Sequence, residues 1–207
     1  GTSGAKSKQD YVAALEAIQN TPEAQELKEV WAEYAGCKDT IVTYSITDDG
    51  TGHIDMYLKV VDDNTVLLGE YEAPYDAPGT PSASTVLSCW ANNPCPKGYS
   101  CQSGKCTGTG VQAVNALRLD ATAEFIESYT KPNGTSFSVP RIVMPGHRST
   151  NSGPIPFTYI NSTFINGLNL WPATQYTDWL ASRNEAQDTW EQVMPDYEHI
   201  WIDSTEL

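Results

Sequence analysis

The chain has 207 residues, of which 12 are Lys or Arg and 26 are Asp or Glu, so its formal net charge at pH 7 is −14. This acidity opposes contact with the phosphates of nucleic acids and with anionic lipid headgroups, and we expect neither as a partner. The sequence has no run of about 18 apolar residues, so we predict no membrane span. The length suits one domain with a small appended module, and we treat residues 1–207 as a single domain.

The N-terminal segment predicts two helices. Ser7 followed by Asp10 resembles a capping box at the start of the first helix. Thr21 followed by Pro22 marks the start of the second helix, which ends at Gly36. Each helix has one apolar stripe, formed by Tyr11, Leu15 and Ile18 in the first and by Leu27, Val30, Trp31 and Tyr34 in the second. We expect these stripes to cover a sheet.

After Thr40 the apolar period changes from 3.6 to 2, which predicts strands in 41–46, 53–61 and 65–73. Turn sequences rich in Asp, Asn and Gly separate these strands, so an antiparallel meander is expected. In the second strand the pattern buries Ile54, Met56, Leu58 and Val60 and exposes His53, Asp55, Tyr57 and Lys59.

The C-terminal half predicts further strands in 116–119, 125–129, 137–144 and 157–165, although 121–129 could equally be helical. Thr177 is the expected cap of a helix with Trp179, Ala186, Trp190 and Val193 on one side, and 197–203 is the expected last strand. The fold class is therefore α+β, with a largely antiparallel sheet covered by N- and C-terminal helices. No repeat is visible in the sequence.

Four cysteines, Cys89, Cys95, Cys101 and Cys106, lie within a loop excursion at 85–110 that is rich in Pro, Gly and Asn. Their spacing does not fit the paired thiolates of a structural zinc site, so we predict that disulfides staple the loop. Connectivity stays open, and Cys89 with Cys101 plus Cys95 with Cys106 is our hypothesis. The fifth, Cys37, is either a buried thiol or a partner in another bridge.

Disulfides require an oxidising compartment, so the protein is expected to be secreted or at the cell surface. Two sequons, Asn133-Gly-Thr135 and Asn161-Ser-Thr163, are consistent with this location and predict glycosylation at both asparagines.

The sequence contains one candidate catalytic loop. His147, Arg148 and Ser149 follow a Pro-Gly pair that could expose all three for anion binding or acid–base work. His53 and His199 are interpreted as surface or rim residues. The sequence has no G-x-S-x-G, H-E-x-x-H or dinucleotide-binding motif, and we expect no metal and no cofactor.

Trp90 lies in the stapled loop near Tyr99, where a small loop cannot easily bury it. Both are candidate binding residues for a sugar ring or a protein. The leading interpretation is a secreted or cell-surface binding or structural protein without catalytic activity, with a protein or glycan partner or self-association. Two alternatives stay open, an extracellular hydrolase that uses carboxylates or the His147 loop, and a carrier of a small apolar ligand.

Overall fold

A computed structural model describes residues 7–37, 39–46, 52–71, 100–102, 105–107, 111–145, 148–150, 153–155 and 157–204. Its helices are α1 (Lys8–Ile18), α2 (Pro22–Ala35), α3 (Val111–Ser128) and α4 (Leu180–Val193). Its strands are β1 (Leu58–Val60), β2 (Val66–Tyr71), β3 (Ser100–Gln102), β4 (Lys105–Thr107), β5 (Arg141–Met144), β6 (Arg148–Thr150), β7 (Gly153–Ile155), β8 (Thr163–Ile165), β9 (Leu168–Ala173) and β10 (Glu198–Asp203).

Both N-terminal helices begin where the local signals place them. Ser7 and Asp10 form the full capping box of α1, in which each side chain accepts a hydrogen bond from the other residue's backbone N–H. Thr21 caps α2 through the Ala24 N–H at 3.2 Å, and Gly36 ends it in the left-handed region with a φ of 68°. These predictions are confirmed because the capping contacts are local in sequence.

The strand predicted at 116–119 is wrong, since α3 spans Val111–Ser128. Ala116, Leu119 and Ala121 are each at most 1% exposed, because α3 packs against α1 on one side and against β2 on another. A helix that is buried on several sides carries no single apolar stripe, so its 3.6-residue period is hidden.

The two three-stranded sheets are mixed, and each combines one antiparallel and one parallel pairing. The first sheet has the order β1-β2-β5, in which β1 pairs antiparallel and β5 parallel with β2. The second sheet has the order β10-β9-β8, in which β8 pairs antiparallel and β10 parallel with β9. The α+β class is confirmed, and the expected antiparallel sheet is corrected to two mixed sheets beside the antiparallel pairs β3–β4 and β6–β7.

The two sheets are built by the same sequence of elements. Each begins with an antiparallel hairpin, continues with a helix, and ends with a strand that returns parallel to the second strand of the hairpin. The first unit is β1, β2, α3 and β5, and the second is β8, β9, α4 and β10. This ββαβ repeat exists in the topology although the sequence shows no period.

Helices and sheets alternate in layers. One buried cluster joins α1 and α3 to one side of the first sheet, through residues that include Leu15, Leu119 and Leu68. The other cluster joins the opposite side of the first sheet to α4 and β9, through residues that include Ile142, Trp190, Ala186 and Trp171. Helix α4 therefore lies between the two sheets.

The first predicted strand and the start of the second are also corrected. Residues 41–46 form no strand, and Ile54–Met56 is a turn of 3₁₀ helix. The turn changes the alternation, so Tyr57 is 2% exposed whereas Ile54 and Val60 are 50% and 61% exposed, the reverse of the expected pattern. Near the C-terminus, α4 begins at Leu180 after a 3₁₀ turn, and Thr177 does not cap it.

The apolar stripe of α2 does not cover a sheet. Leu27, Val30, Trp31 and Tyr34 are all more than 40% exposed, contrary to the expectation. None of the helices in the described ranges is both long and apolar enough to cross a membrane.

Within the cysteine-rich segment, β3 and β4 form a hairpin whose register places Cys101 opposite Cys106. Cys89 and Cys95 lie outside the described residues, and for Cys101 and Cys106 only the backbone is described. The disulfide staple therefore stays a prediction. Cys37 is a free, half-buried thiol.

Gly69 gives a direct test of the packing between β2, β5 and the layer beyond. A Cβ at this position would overlap Met144 Sδ and approach Ile160 Cδ1 to 3.3 Å, and both neighbours are at most 2% exposed. We expect Gly69→Ala to lower the free energy of unfolding by about 1–3 kcal/mol, as overpacking does in closed cores. Urea denaturation measures this, and the loss caused by Gly69→Ala should be smaller in a Met144→Ala background than in the unaltered chain. A stability loss that Met144→Ala leaves unreduced would contradict the close contact.

Candidate functional site

The 3₁₀ turn before β1 carries a histidine and a carboxylate. Gly52 enters the turn with a φ of 68°, a conformation that glycine adopts without strain. The carbonyl of His53 accepts a hydrogen bond from the Met56 backbone N–H at 3.3 Å, and this bond closes the turn. His53 is exposed and Asp55 is half-buried. An imidazole and a carboxylate are thus held two positions apart on one short, solvent-accessible turn.

Tyr57 anchors this turn to the core. Its side chain is 2% exposed, and its hydroxyl lies 3.2 Å from Thr43 Oγ1. Its carbonyl accepts a hydrogen bond from the Gly69 N–H at 2.8 Å. The residue after the turn is therefore fixed to β2 and to the segment 41–46, so His53 and Asp55 project from a rigid base.

Lys59 connects the same region to the second ββαβ unit. Its Nζ donates a hydrogen bond to the Ser162 carbonyl and lies 4.8 Å from the centre of the Phe164 ring. Burial lowers the pKa of Lys59, and the negative charge of Asp55 acts in the opposite direction. The Asp55 carboxylate therefore acts electrostatically on a lysine that bridges the two units.

This electrostatic contact gives a testable result. Asp55→Asn removes the charge that raises the Lys59 pKa, so this pKa should fall further. An NMR titration of the Lys59 side chain measures it, and Asp63→Asn, at an exposed carboxylate, is the matched control. An unchanged Lys59 pKa in Asp55→Asn, or an equal change in the control, would contradict the proximity of the two charges.

The two side chains have complementary chemistry. Imidazole is the side chain that ordinarily gains and loses a proton near neutral pH, so an exposed histidine can serve as a general acid or base. A carboxylate accepts paired hydrogen bonds from a planar cation such as guanidinium. These are the chemical capacities that the two side chains bring to the turn.

His199 cannot play this part, because both of its ring nitrogens are engaged inside the second unit. Nε2 lies 3.0 Å from the Met194 carbonyl, to which it donates, and Nδ1 lies 3.1 Å from the Asn169 Nδ2, from which it accepts. These contacts hold the ring between β9, β10 and the end of α4. His199 is thus a half-buried histidine whose ring is satisfied within the second unit.

None of the predicted catalytic and binding residues has a described side chain. His147, Trp90 and Tyr99 lie outside the described residues. Arg148 and Ser149 belong to β6, of which the backbone alone is described. These candidates stay predictions.

Asn133 and Asn161 are both exposed, so neither is sterically excluded from glycosylation. Asn133 Oδ1 accepts hydrogen bonds from the Thr135 N–H at 3.0 Å and from its hydroxyl at 2.8 Å.

The sequence interpretation missed His53 and Asp55 as a site. A usable signal was present, because the same pattern placed both side chains on the solvent side of one segment directly after a turn. Because a strand was predicted there, both residues were interpreted as ordinary surface residues.

An open groove of about 470 Å³ lies beside Asn133 and is lined by Asp39, Ile41, Tyr129, Lys131, Pro132, Asn133 and Phe137. Its aromatic side chains stack on each other, with ring centres 6.4 Å apart. The groove is open to solvent, unlike the closed apolar cavity expected of a carrier.

No family model and no curated protein matches the sequence. Solved structures do match the fold. An arginine deiminase assigned in Porphyromonas gingivalis is 19% identical with a TM-score of 0.58, and the match covers 90% of this chain and 43% of that one. The agmatine deiminase of C. jejuni with substrate bound is 16% identical with a TM-score of 0.55, and the match covers 86% of this chain and 40% of that one. The agmatine deiminase of Enterococcus faecalis is 14% identical with a TM-score of 0.54, and the match covers 91% of this chain and 45% of that one.

These comparisons correct the leading interpretation of function. The protein was expected to be a non-catalytic binding or structural protein, whereas these solved structures with the same fold are named as arginine or agmatine deiminases. The same finding overturns its description as a binding protein, whereas secretion and glycosylation stay predictions. The chain spans less than half the length of the solved structures it matches, and it has the fold of the corresponding part of these deiminases.

Proposed function

We propose that this chain forms part of a hydrolase of the deiminase type, which acts on a guanidine group. The likeness to deiminases over about nine-tenths of the chain supports the proposal. The observation that carries the proposal is the presence of His53 and Asp55 on one anchored turn. We propose that the two residues supply part of the site.

Deimination places definite demands on a protein. The reaction adds water to the guanidinium carbon, breaks one C–N bond, and releases ammonium while a ureido group remains. The substrate is planar and cationic, and the attacking water must lose a proton while the leaving nitrogen gains one. A carboxylate and an imidazole meet these two demands.

The roles follow from position. Asp55 is half-buried, so its carboxylate is partly shielded from water and can pair with the N–H groups of a guanidinium. His53 is exposed at the entry to the same turn and is the proposed group that transfers protons. Tyr57 and Gly69 hold the backbone that carries them.

Binding of agmatine tests the role of Asp55. Asp55→Asn should weaken agmatine binding at least tenfold, about 1.4 kcal/mol, because a neutral amide cannot offer two anionic acceptors. Isothermal titration calorimetry measures this, with the exposed Asp63→Asn as the matched control. 1,4-Diaminobutane, which has an amine in place of the guanidine, should bind more weakly than agmatine to the unaltered chain.

Two results would reject the assignment. The first is equal agmatine affinity in Asp55→Asn and the unaltered chain. The second is a loss in Asp63→Asn as large as that in Asp55→Asn, which would indicate a general effect of the negative charge of the protein.

A further inference from the structure

The groove beside Asn133 combines an apolar floor with a polar rim. Ile41, Tyr129 and Phe137 are half-buried and form the floor, and Ile41 and Phe137 also pack against the core of the first unit. Asp39 and Asn133 are exposed at the rim. The groove volume of about 470 Å³ lies within the range of about 300–1,000 Å³ in which proteins bind small organic molecules. The groove therefore has the size of a site for one small ligand.

The charges of the groove favour a neutral ligand. Among the lining residues Asp39 carries one negative charge and Lys131 one positive charge, so these charges cancel. The Lys131 ammonium is also held by other groups, because it donates to Asn64 Oδ1 at 2.6 Å and to the Asp63 carbonyl at 3.0 Å. A sugar ring fits such a site, since its C–H groups can pack on aromatic rings while its hydroxyl groups form hydrogen bonds at the rim.

The side chain of Asn133 is fixed at the rim by its own turn. The Gly134 N–H donates to the Lys131 carbonyl at 2.8 Å, and Gly134 has a φ of 83°. Asn133 Oδ1 accepts hydrogen bonds from the N–H and the hydroxyl of Thr135. Both of these bonds are made by the oxygen, so they orient the amide group without using Nδ2. A group attached to Nδ2 therefore starts from a defined position beside the groove.

The structure distinguishes the two glycosylation sequons, which the sequence predicted equally. Asn133 and Thr135 form the sequon at the groove. Asn161 is exposed between Ile160 and Ser162, which are at most 5% exposed, and it does not line the groove. A sugar on Asn133 thus begins beside an aromatic floor, whereas a sugar on Asn161 begins away from that floor.

We infer that the groove beside Asn133 holds the first N-acetylglucosamine of an N-linked glycan on this asparagine. In the linkage reaction Nδ2 displaces the pyrophosphate of a lipid-linked oligosaccharide from C1 of the sugar, so a C–N bond forms, a C–O bond breaks and Nδ2 loses a proton. The attachment gives the sugar a high local concentration at the groove, so even a weak contact is occupied. The inference rests on the expected secretion and uses neither His53 nor Asp55, so its failure leaves the proposed function unchanged.

Secretion of the 207-residue chain from a yeast host tests the inference. Asn161→Gln leaves the glycan on Asn133 alone, and Asn133→Gln, the matched control, leaves it on Asn161 alone. Endoglycosidase H trims each glycan to one N-acetylglucosamine, whereas peptide N-glycosidase F removes it entirely and leaves aspartate. In the Asn161→Gln chain the trimmed form should keep the melting temperature of the intact form, and complete removal should lower it by about 2–4 °C. In the control the two enzymes should give equal melting temperatures.

A further substitution locates the sugar. Tyr129→Leu, added to Asn161→Gln, keeps an apolar side chain in the floor but removes one aromatic ring. The difference in melting temperature between the trimmed and the deglycosylated forms should fall by at least half. Tyr34→Leu, at a tyrosine that is 79% exposed on α2, is the matched control and should leave the difference unchanged. NMR gives a second readout, because aromatic ring currents should shift the protons of the trimmed sugar upfield, and Tyr129→Leu should reduce that shift.

Several results would overturn the inference. Glycopeptide mass spectrometry finds Asn133 without a glycan, either in the yeast product or in the protein from its natural source. Complete removal of the Asn133 glycan leaves the melting temperature of the trimmed form unchanged, which would mean that the sugar projects into solvent. An equal loss on removal of the Asn161 glycan would assign the stabilisation to glycans in general rather than to the groove.

Discussion

Trp190→Ala is expected to lower the free energy of unfolding by about 3–5 kcal/mol, the range measured when large aromatic side chains are removed from closed cores. Trp190 is 0% exposed and lies in α4 between the two sheets. Its ring packs edge-on against Phe164 with ring centres 6.0 Å apart, and its Nε1 donates to the Tyr159 carbonyl at 3.1 Å. Alanine leaves both a cavity and a buried carbonyl that has lost a donor.

Chemical denaturation followed by circular dichroism measures this effect. Trp31→Ala is the matched control, because Trp31 is also helical but 48% exposed on α2, and its loss should cost about 1 kcal/mol or less. Similar losses for the two tryptophans would contradict the position of α4 as the layer that joins the sheets.

In the proposed deiminase of which this chain forms part, His53→Asn is expected to reduce the rate of ammonia release from agmatine by about 10²–10⁴-fold, the usual contribution of general acid–base catalysis. The amide keeps polarity and approximate size but cannot gain and lose a proton near neutral pH. Because His53 is exposed, the melting temperature should stay nearly unchanged. Agmatine affinity should also change little, because the proposed binding group is Asp55.

A coupled ammonia assay with calorimetry separates these quantities. His199→Asn is the comparison variant, and it should lower the melting temperature because His199 joins Asn169 to the Met194 carbonyl. Unaltered ammonia release in His53→Asn would reject the catalytic role. A large fall in its melting temperature would instead assign His53 to the fold.

The differences between the predicted and the observed fold have specific physical causes. Helices α1 and α2 were predicted with their caps, because Ser7, Asp10 and Thr21 satisfy backbone groups only three residues away. In contrast, α3 was predicted partly as strands, because its burial on several sides removes the single apolar stripe. Its burial depends on α1 and the first sheet, which no local window of sequence contains.

Part of the candidate site could be predicted from the sequence. The sequence pattern placed His53 and Asp55 on the solvent side of the same segment, and the structure keeps them on one turn. The contacts of Tyr57 with Thr43 and Gly69, and of Lys59 with Ser162, join positions 12 to 103 residues apart. A single sequence gives no signal for such contacts, so the rigidity of the turn and its link to the second unit could not be predicted.

By itself the sequence determined the acidic charge, the α+β class and the ends of the N-terminal helices, because composition and capping act over a few residues. Only the tertiary structure decided that β5 and β10 pair parallel to the hairpins before them, and that two ββαβ units share α4 as a common layer. Parallel pairing requires a long crossover connection between two strands. Packing against elements that are distant in the sequence decides which strand becomes the parallel partner. The repeat arises from that packing, and so it is visible in the topology and not in the sequence.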